Sequence, residues 1–595
     1  MTLKRNVGAS LFWLCLLMGA CKSPSAPIRT ATAAPNPPFA GQAPEDASHT
    51  DEEPGRYGGT LALALPQNPR SFNPILANET STFMVINQVV YKALTEFDNQ
   101  AQRDVPGLAK SWETTPDGLN WTFHLRRGVH WSDGAPFNAD DALFTFQVTC
   151  DAKVAAAGRD LLAQSDGSCP AIEKVDDHTI RFRLKEPNAL FLSAVGSALL
   201  IPRHKWEGAY RAAQFNQTML LNTDPKEIVG LGPYRVQSFA TDQRVVLERN
   251  PYYWKVDSAG NRLPYIDRVV FLIVPDVNAE VLKFQQGETD MLWGISPETV
   301  ELLKRDEQKG DYKVHDLGPS FNTEFLVFNQ DTRKYKNPVK LKWFREHRFR
   351  QAVSFAIDRE ALARAVFLGY ATPIYGYTSP ANKLWHMEEI PKYPHNPEKA
   401  KALLGEIGIE DRNGDGKLED AAGNPIRFSI NTNANRAARV NIGTLIKEQL
   451  ARIGMEVSFQ PLDFNLLIDK LVATRDFDAI ILGWQAAVPP DPINNKNALL
   501  PSGSSYAAFP EQKTPLTEWE KQLQSLLLEN ARTNDLARRQ QSFAAAMRIW
   551  SEYLPEIDLV ASRFLVAARN RFGNFKPSPL ANYTYWNVDE MYFMK

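Results

Sequence analysis

An α/β fold follows from two kinds of segment that recur along the chain. Short apolar runs, Arg268–Asp276 (RVVFLIVPD) and Phe477–Trp484 (FDAIILGW), have the length and branched content of strands buried on both faces. Other segments carry helical spacing: Arg439–Gly454 (RVNIGTLIKEQLARIG) places apolar residues three and four apart and stops at a glycine. Strands alternating with helices give the α/β class. The 595 residues, 44% of them hydrophobic, suffice for two or three domains rather than one. A formal net charge of -2, with both signs mixed along the length, leaves no basic face, so nucleic acid is not an expected partner.

Lys4 and Arg5 precede an apolar run from Leu11 to Leu17, followed by Met18-Gly19-Ala20-Cys21. The run is shorter than the roughly 20 residues a membrane crossing needs, so residues 1–20 read as a secretory signal. Cys21 after two small residues resembles the lipobox of bacterial lipoproteins, which implies acylation of Cys21 and a lipid anchor; ordinary cleavage with a free Cys21 is the alternative. Residues 21–56 are rich in proline and alanine and poor in large apolar side chains, which predicts a disordered tether reaching about 100 Å at roughly 3.1 Å per residue. The folded body is expected to start near Tyr57.

Four cysteines are present, and with Cys15 and Cys21 accounted for, Cys150 and Cys169 remain. In an oxidising compartment they form a disulfide worth about 3 kcal/mol, or else two separate buried thiols. Further along, Asn120–Arg126 (NWTFHLR) alternates like a strand after a Pro116-Asp117-Gly118 turn. Asn138 then caps a helix whose first turn holds Asp140 and Asp141.

Leu108-Ala109, Ser111-Trp112, Asp117-Gly118, Leu125-Arg126, Gly128, Trp131, Asp133-Gly134 and Asp140 together resemble the signature of the family 5 extracellular solute-binding proteins, the oligopeptide-, dipeptide- and nickel-binding components of ABC importers. Gly59–Pro74, Gly230–Val236, Leu247–Trp254, Phe349–Leu362 and the Leu482-Gly483-Trp484 strand agree in order. The resemblance implies a two-lobed periplasmic-binding-protein-like fold, class II in type with an extra domain. Domain I would combine residues 57–92, 226–310 and 561–595; domain II, 93–225, would complete lobe one; domain III, 311–560, would be lobe two. It further implies a peptide or similar small solute as ligand, ABC permease and ATPase subunits as partners, a monomer, and a place at the outer face of a cell membrane held by lipid alone.

In this family the strand at Gly483 and Trp484 lines the cleft, so Gly483, Trp484, Gln485 and Ala486 become binding residues. Gly483 permits close approach and Trp484 supplies an apolar wall, with a core tryptophan as the plainer reading. Asn78 and Thr80 would face them from lobe one. The chain departs from the pattern at Ala487, where peptide binders carry an aspartate that pairs with the ligand's α-amino group. Asp491 and Glu79 are the candidate replacements, against simpler roles as a turn residue and a surface residue.

Asp411–Asp420 (DRNGDGKLED) resembles part of a calcium loop, with Asp411, Asn413, Asp415 and Asp420 as oxygen ligands, but Ala422 stands at the twelfth position. A loop of Asx turns is the favoured reading, and no cofactor is expected otherwise. The Gly-Leu-Gly of 230–232 runs into Pro233, which argues against a dinucleotide site. His386 and His395 read as surface or rim residues. With no HExxH, no GxSxG and no paired nucleophile and base, an enzyme is not expected; a solute sensor or a binder of oligosaccharide or metal chelate is the alternative function, ahead of an envelope hydrolase.

Overall fold

The computed structural model of the chain describes residues 39–485, 488–580 and 584–594. Cys21, Ala486 and Ala487 lie outside the described residues. Among those described, no helix is long and apolar enough to cross a membrane.

The expected tether is corrected at its C-terminal half: from Phe39 on, the chain is packed against the body. Ser48–His49 pairs in parallel with Lys255–Val256. Arg262 donates to the carbonyls of Ala40 and Gln42, Arg126 donates to that of Asp46, and the Asp46 carboxylate meets Lys110 at 2.8 Å. The Phe39 ring meets the edge of Tyr57 at 6.0 Å.

Two four-stranded sheets follow. In the first, Thr60–Leu65 pairs in parallel with Arg268–Ile273, and Arg244–Arg249 and Tyr234–Ala240 extend the sheet antiparallel. Leu61, Leu63, Val245 and Phe271 form its core. Gly230 and Gly232 lie against the main chain of Val89 and Val90, where a Cβ would sit 2.0 and 2.3 Å from a carbonyl oxygen. That close approach explains the glycine pair without any phosphate. The second sheet, Ala109–Thr114, Asn120–Leu125, Thr179–Arg183 and Ala171–Asp176, is antiparallel throughout. The helix Ala139–Cys150 starts in a capping box, with Asn138 and Asp141 each accepting from the other's end of the first turn. Its last residue, Cys150, is bonded to Cys169.

The third sheet is the largest. Its central strands are apolar on both faces because helices cover both faces. In Thr323–Phe328, Leu326 and Phe328 enter one core while Phe325 and Val327 enter another; in Ala479–Trp484, Ile481 faces the first core and Ile480, Leu482 and Trp484 face the second. The strand Ile557–Arg569 joins the halves of the molecule. Its first residues pair with Thr323–Phe328 and Ala371–Pro373, its last with Met291–Trp293 and Tyr312–Pro319. The boundary expected at residue 561 therefore falls inside one continuous strand.

Candidate ligand-binding cleft

The strand Ala479–Trp484 ends in the cleft because its neighbours end at different places. On one edge it is paired with Thr323–Phe328 through Trp484, opposite Thr323. On the other, Arg427–Asn433 reaches only Ala479 and Ile480, after which the Thr432 hydroxyl donates to the Ile481 carbonyl at 2.9 Å. Beyond Ile481 that edge has no strand partner among the described residues.

Gly483, Trp484 and the exposed Gln485 line a cavity of about 690 Å³ together with Glu324, Arg436, Arg439, Trp293 and Ser562. Arg439 is ion-paired to Glu324 at 2.7 Å and donates to Asn433. Burial raises the Glu324 pKa, and the Arg439 guanidinium opposes that rise. A Cβ at Gly483 would meet Arg439 Nη2 at 2.5 Å and the Thr323 carbonyl at 2.6 Å. The close approach expected at Gly483 is thus made by the protein's own groups.

Trp484 is half-buried and held from behind: its ring stacks on Phe325 at 5.2 Å, and its indole N–H donates to Glu556 at 2.9 Å. It combines both roles read from the sequence, since part of it packs into the core and part lines cavities. Burial pushes the Glu556 carboxyl well above the usual carboxylate range against the Trp484 hydrogen bond, and Asp558 raises it further.

A second cavity, about 460 Å³, opens where lobe one faces the segment after the tryptophan. Asn78, Gln88, Lys92, Glu96, Asn99 and Asp104 line it from lobe one, Val488 and Pro489 from lobe two. Thr80 is not part of it; as the first residue of the helix Thr80–Ile86 it lines a smaller pocket of about 120 Å³ made by lobe one alone. Asp104 lies in Arg103–Pro106, which forms a hairpin with Thr95–Asp98. The hairpin turn crosses to lobe two: Gln102 donates to the Ala381 carbonyl at 2.9 Å and accepts from Lys383 N–H at 3.0 Å. Ala189 N–H donates to the Ala531 carbonyl at 3.2 Å, a second contact on this side of the cleft.

Neither suggested replacement for the missing aspartate has a free carboxylate. Asp491 is ion-paired to Arg539 at 2.8 Å and caps the turn at Pro492 by accepting from Ile493 N–H. Glu79 caps the helix Thr80–Ile86, accepting from Ser81 and Thr82 N–H at 2.8 and 2.6 Å. In the loop 411–420, Asp411 accepts from Gly414 and Gly416 N–H, Asn413 from Asp415, Asp415 from Lys417, and Asp420 from Ala422 and Asn424. Those oxygens are turned to main-chain amides, the arrangement of Asx turns. His395 is exposed; half-buried His386 contacts the Thr378 carbonyl and Glu388.

Asp104, Arg436 and Arg439 carry no functional signal in the sequence. None sits in a motif, and each becomes notable only through its neighbours in space.

Residues 105–506 match the bacterial extracellular solute-binding proteins, family 5 Middle. Heme-binding protein A of Haemophilus influenzae is 30% identical over 75% of this chain and 77% of its own length. The dipeptide-binding protein of Escherichia coli is 26% identical over 89% of this chain and 94% of its own. The crystal structure of the ABC transporter substrate binding protein CtaP from Listeria monocytogenes, at 24% identity, has a TM-score of 0.72 over 91% of this chain and all of that one, a likeness of fold. Matched over more than half of its length, and carrying a cleft lined from two lobes, the chain belongs to the bacterial extracellular solute-binding proteins of family 5.

Proposed function

We propose that this protein encloses a short peptide between its lobes and delivers it to the permease of an ABC importer. The observation that carries the reading is the open strand edge after Ile481, set beside cavities of about 460 and 690 Å³. Main-chain N–H and C=O groups on such an edge recognise any peptide alike, while cavities of this size take the side chains. The exposed Gln485 amide offers both a donor and an acceptor at the end of that edge. Arg436 places positive charge in the larger cavity beside the Arg439–Glu324 pair, suited to a peptide's terminal carboxylate. The similarity to a dipeptide-binding protein supports the same class of ligand.

Members of the family are extracytoplasmic binding proteins and not enzymes. Acylated Cys21 and the segment after it would tether this one to a membrane surface, and it would act as a monomer. The test is to purify the protein without denaturation, release its small molecules and identify them by mass spectrometry. Peptides of a few residues are expected; an oligosaccharide, a tetrapyrrole or a metal chelate would overturn the peptide assignment.

A further inference from the structure

The charges around the 460 Å³ cavity do not balance. Lys92 and Glu96 line it, but they are ion-paired to each other at 3.0 Å, and Glu96 also meets Lys255 at 2.8 Å. Asp104 lines it too, and its one described partner is the Ser193 hydroxyl, which donates at 3.2 Å. No lysine, arginine or histidine comes within ion-pairing distance of Asp104 among the described residues. Two further acceptors on the cavity wall, Asn99 Oδ1 and Gln88 Oε1, have no hydrogen-bond partner there, and Asn99 is only 5% exposed. A half-buried carboxylate with a single hydroxyl donor gains from a cation that reaches it. The set is short of donors.

We propose that Asp104, carried across the cleft on the lobe-one hairpin, is the counter-charge for an ammonium group of the bound ligand, a role that residues 487 and 491 do not fill. This inference rests on the peptide reading and makes it more specific: the ligand has a free α-amine or a lysine-like end. An ammonium brings three donors, which suits one carboxylate supported by neutral amide oxygens. A divalent metal would need several charged or oxygen ligands, and no group of three acidic, histidine or cysteine side chains gathers among the described residues. The hairpin touches lobe two through Gln102, so a cation held at Asp104 would also favour the conformation in which the lobes meet.

The same site has a pH signature. Burial pushes the Asp104 carboxyl up to about 6, with Ser193 opposing the rise and Asp491 adding to it. The charged groups around it are Asp491, bound to Arg539, across the cleft, and Glu96 with Lys92 and Lys255 on the paired strand side; the helix Phe191–Ser197 that supplies Ser193 carries none. Below that pKa the carboxylate is neutral and the attraction for an ammonium is lost.

The experiment is calorimetric titration at pH 7 with mixed-sequence tripeptide and tetrapeptide pools, each supplied with free and with acetylated amino termini. Wild-type protein is expected to bind the free-amine pools at least tenfold more tightly than the acetylated pools. Asp104→Asn should abolish that preference, whereas Trp484→Ala should weaken both kinds of pool together. In wild-type protein at pH 5 the free-amine pools should lose about tenfold while the acetylated pools stay unchanged, a readout that does not depend on the variant folding. A preference that survives Asp104→Asn, in a variant with wild-type thermal unfolding, overturns the role of Asp104 and leaves the peptide reading intact. So does equal binding of free and acetylated pools. Failure of every pool to bind overturns the peptide reading, and the inference with it.

Discussion

One pair of carboxylates withdrawn into each lobe is treated in opposite ways. In lobe one, Glu96 and Asp589 are surrounded by Lys92 and Lys255: Lys255 lies 2.8 Å from Glu96 and 3.3 Å from Asp589, and Tyr253 donates to Asp589 at 2.7 Å. Burial raises both carboxylates, but the lysines outweigh it and hold both below their ordinary values. In lobe two, Glu556, bonded to Trp484, and Asp558 are each 1% exposed, and among the described residues no lysine is ion-paired to either. Burial pushes Asp558 up to about 7 against the pull of the Arg359 guanidinium and the Trp550 indole, and lifts Glu556 well above the usual range. The guanidinium of Arg359 is spent on main-chain carbonyls of Ile374, Ser354 and Asp558. Carboxylates set beside lysines are therefore held toward the ionised form, and those buried without a lysine are pushed toward the protonated one.

The largest test of that contrast is Lys255→Met. Among the described residues it leaves buried Asp589 with the Tyr253 hydroxyl as its direct partner, and breaking a buried pair in this way costs about 3–5 kcal/mol. Denaturant unfolding of the two proteins at pH 7 should show a loss in that range; a loss below about 1 kcal/mol would mean that the cluster is solvated.

The second test uses pH. Asp558 has a folded pKa above its unfolded one, so between about 4 and 7 the folded state holds the extra proton. Stability then falls as pH rises, with a slope of about 1.4 kcal/mol per pH unit for one proton. Asp558→Asn removes its share, so its unfolding free energy should be flatter across that window. For Glu96 and Asp589 the sign is reversed: their stabilisation is complete above the unfolded pKa and is lost as pH falls through the depressed folded value. A variant as steep as wild type would show that Asp558 ionises normally.

Much of this frame was legible in the sequence. The run Phe477–Trp484 yields the strand Ala479–Trp484, and the pattern Arg439–Gly454 yields the helix Ala437–Ala451, because burial on two faces or one stripe leaves a periodic imprint. Asn138 was legible as a cap because capping is local. Local signals also decided Asp491 and Glu79, each bound to amides within three residues. The segment 39–56 was misread because arginine donors on main-chain carbonyls hold it, and a carbonyl has no residue signature. Asp104 was invisible for a different reason: it stands out by the absence of a cation nearby, which only the folded chain reveals.

The third test asks what the lobe-two acids do for the cleft. Trp484→Ala removes the apolar wall and the donor to Glu556 together, and should weaken ligand affinity by tenfold or more in calorimetry. Unchanged affinity would move the binding surface away from the strand tip.

The smallest expected effect separates those two losses. Trp484→Phe keeps an aromatic ring where Phe325 can stack on it, but it deletes the indole N–H, and Glu556 Oε1 already lacks a partner among the described residues. The lost bond is one to a buried carboxyl whose ionisation burial opposes, and a single such hydrogen bond is worth about 1 kcal/mol. Trp484→Phe should therefore be less stable than wild type by about that amount, with affinity reduced less than threefold. Because the indole bond opposes the upward shift of Glu556, losing it lifts that carboxyl further and should extend the decline of stability with rising pH toward the alkaline side. If instead Trp484→Phe binds as weakly as Trp484→Ala, the indole N–H, and through it the buried Glu556 behind it, positions the cleft wall for the ligand, and the contrast between the lobes becomes one of function as well as of charge.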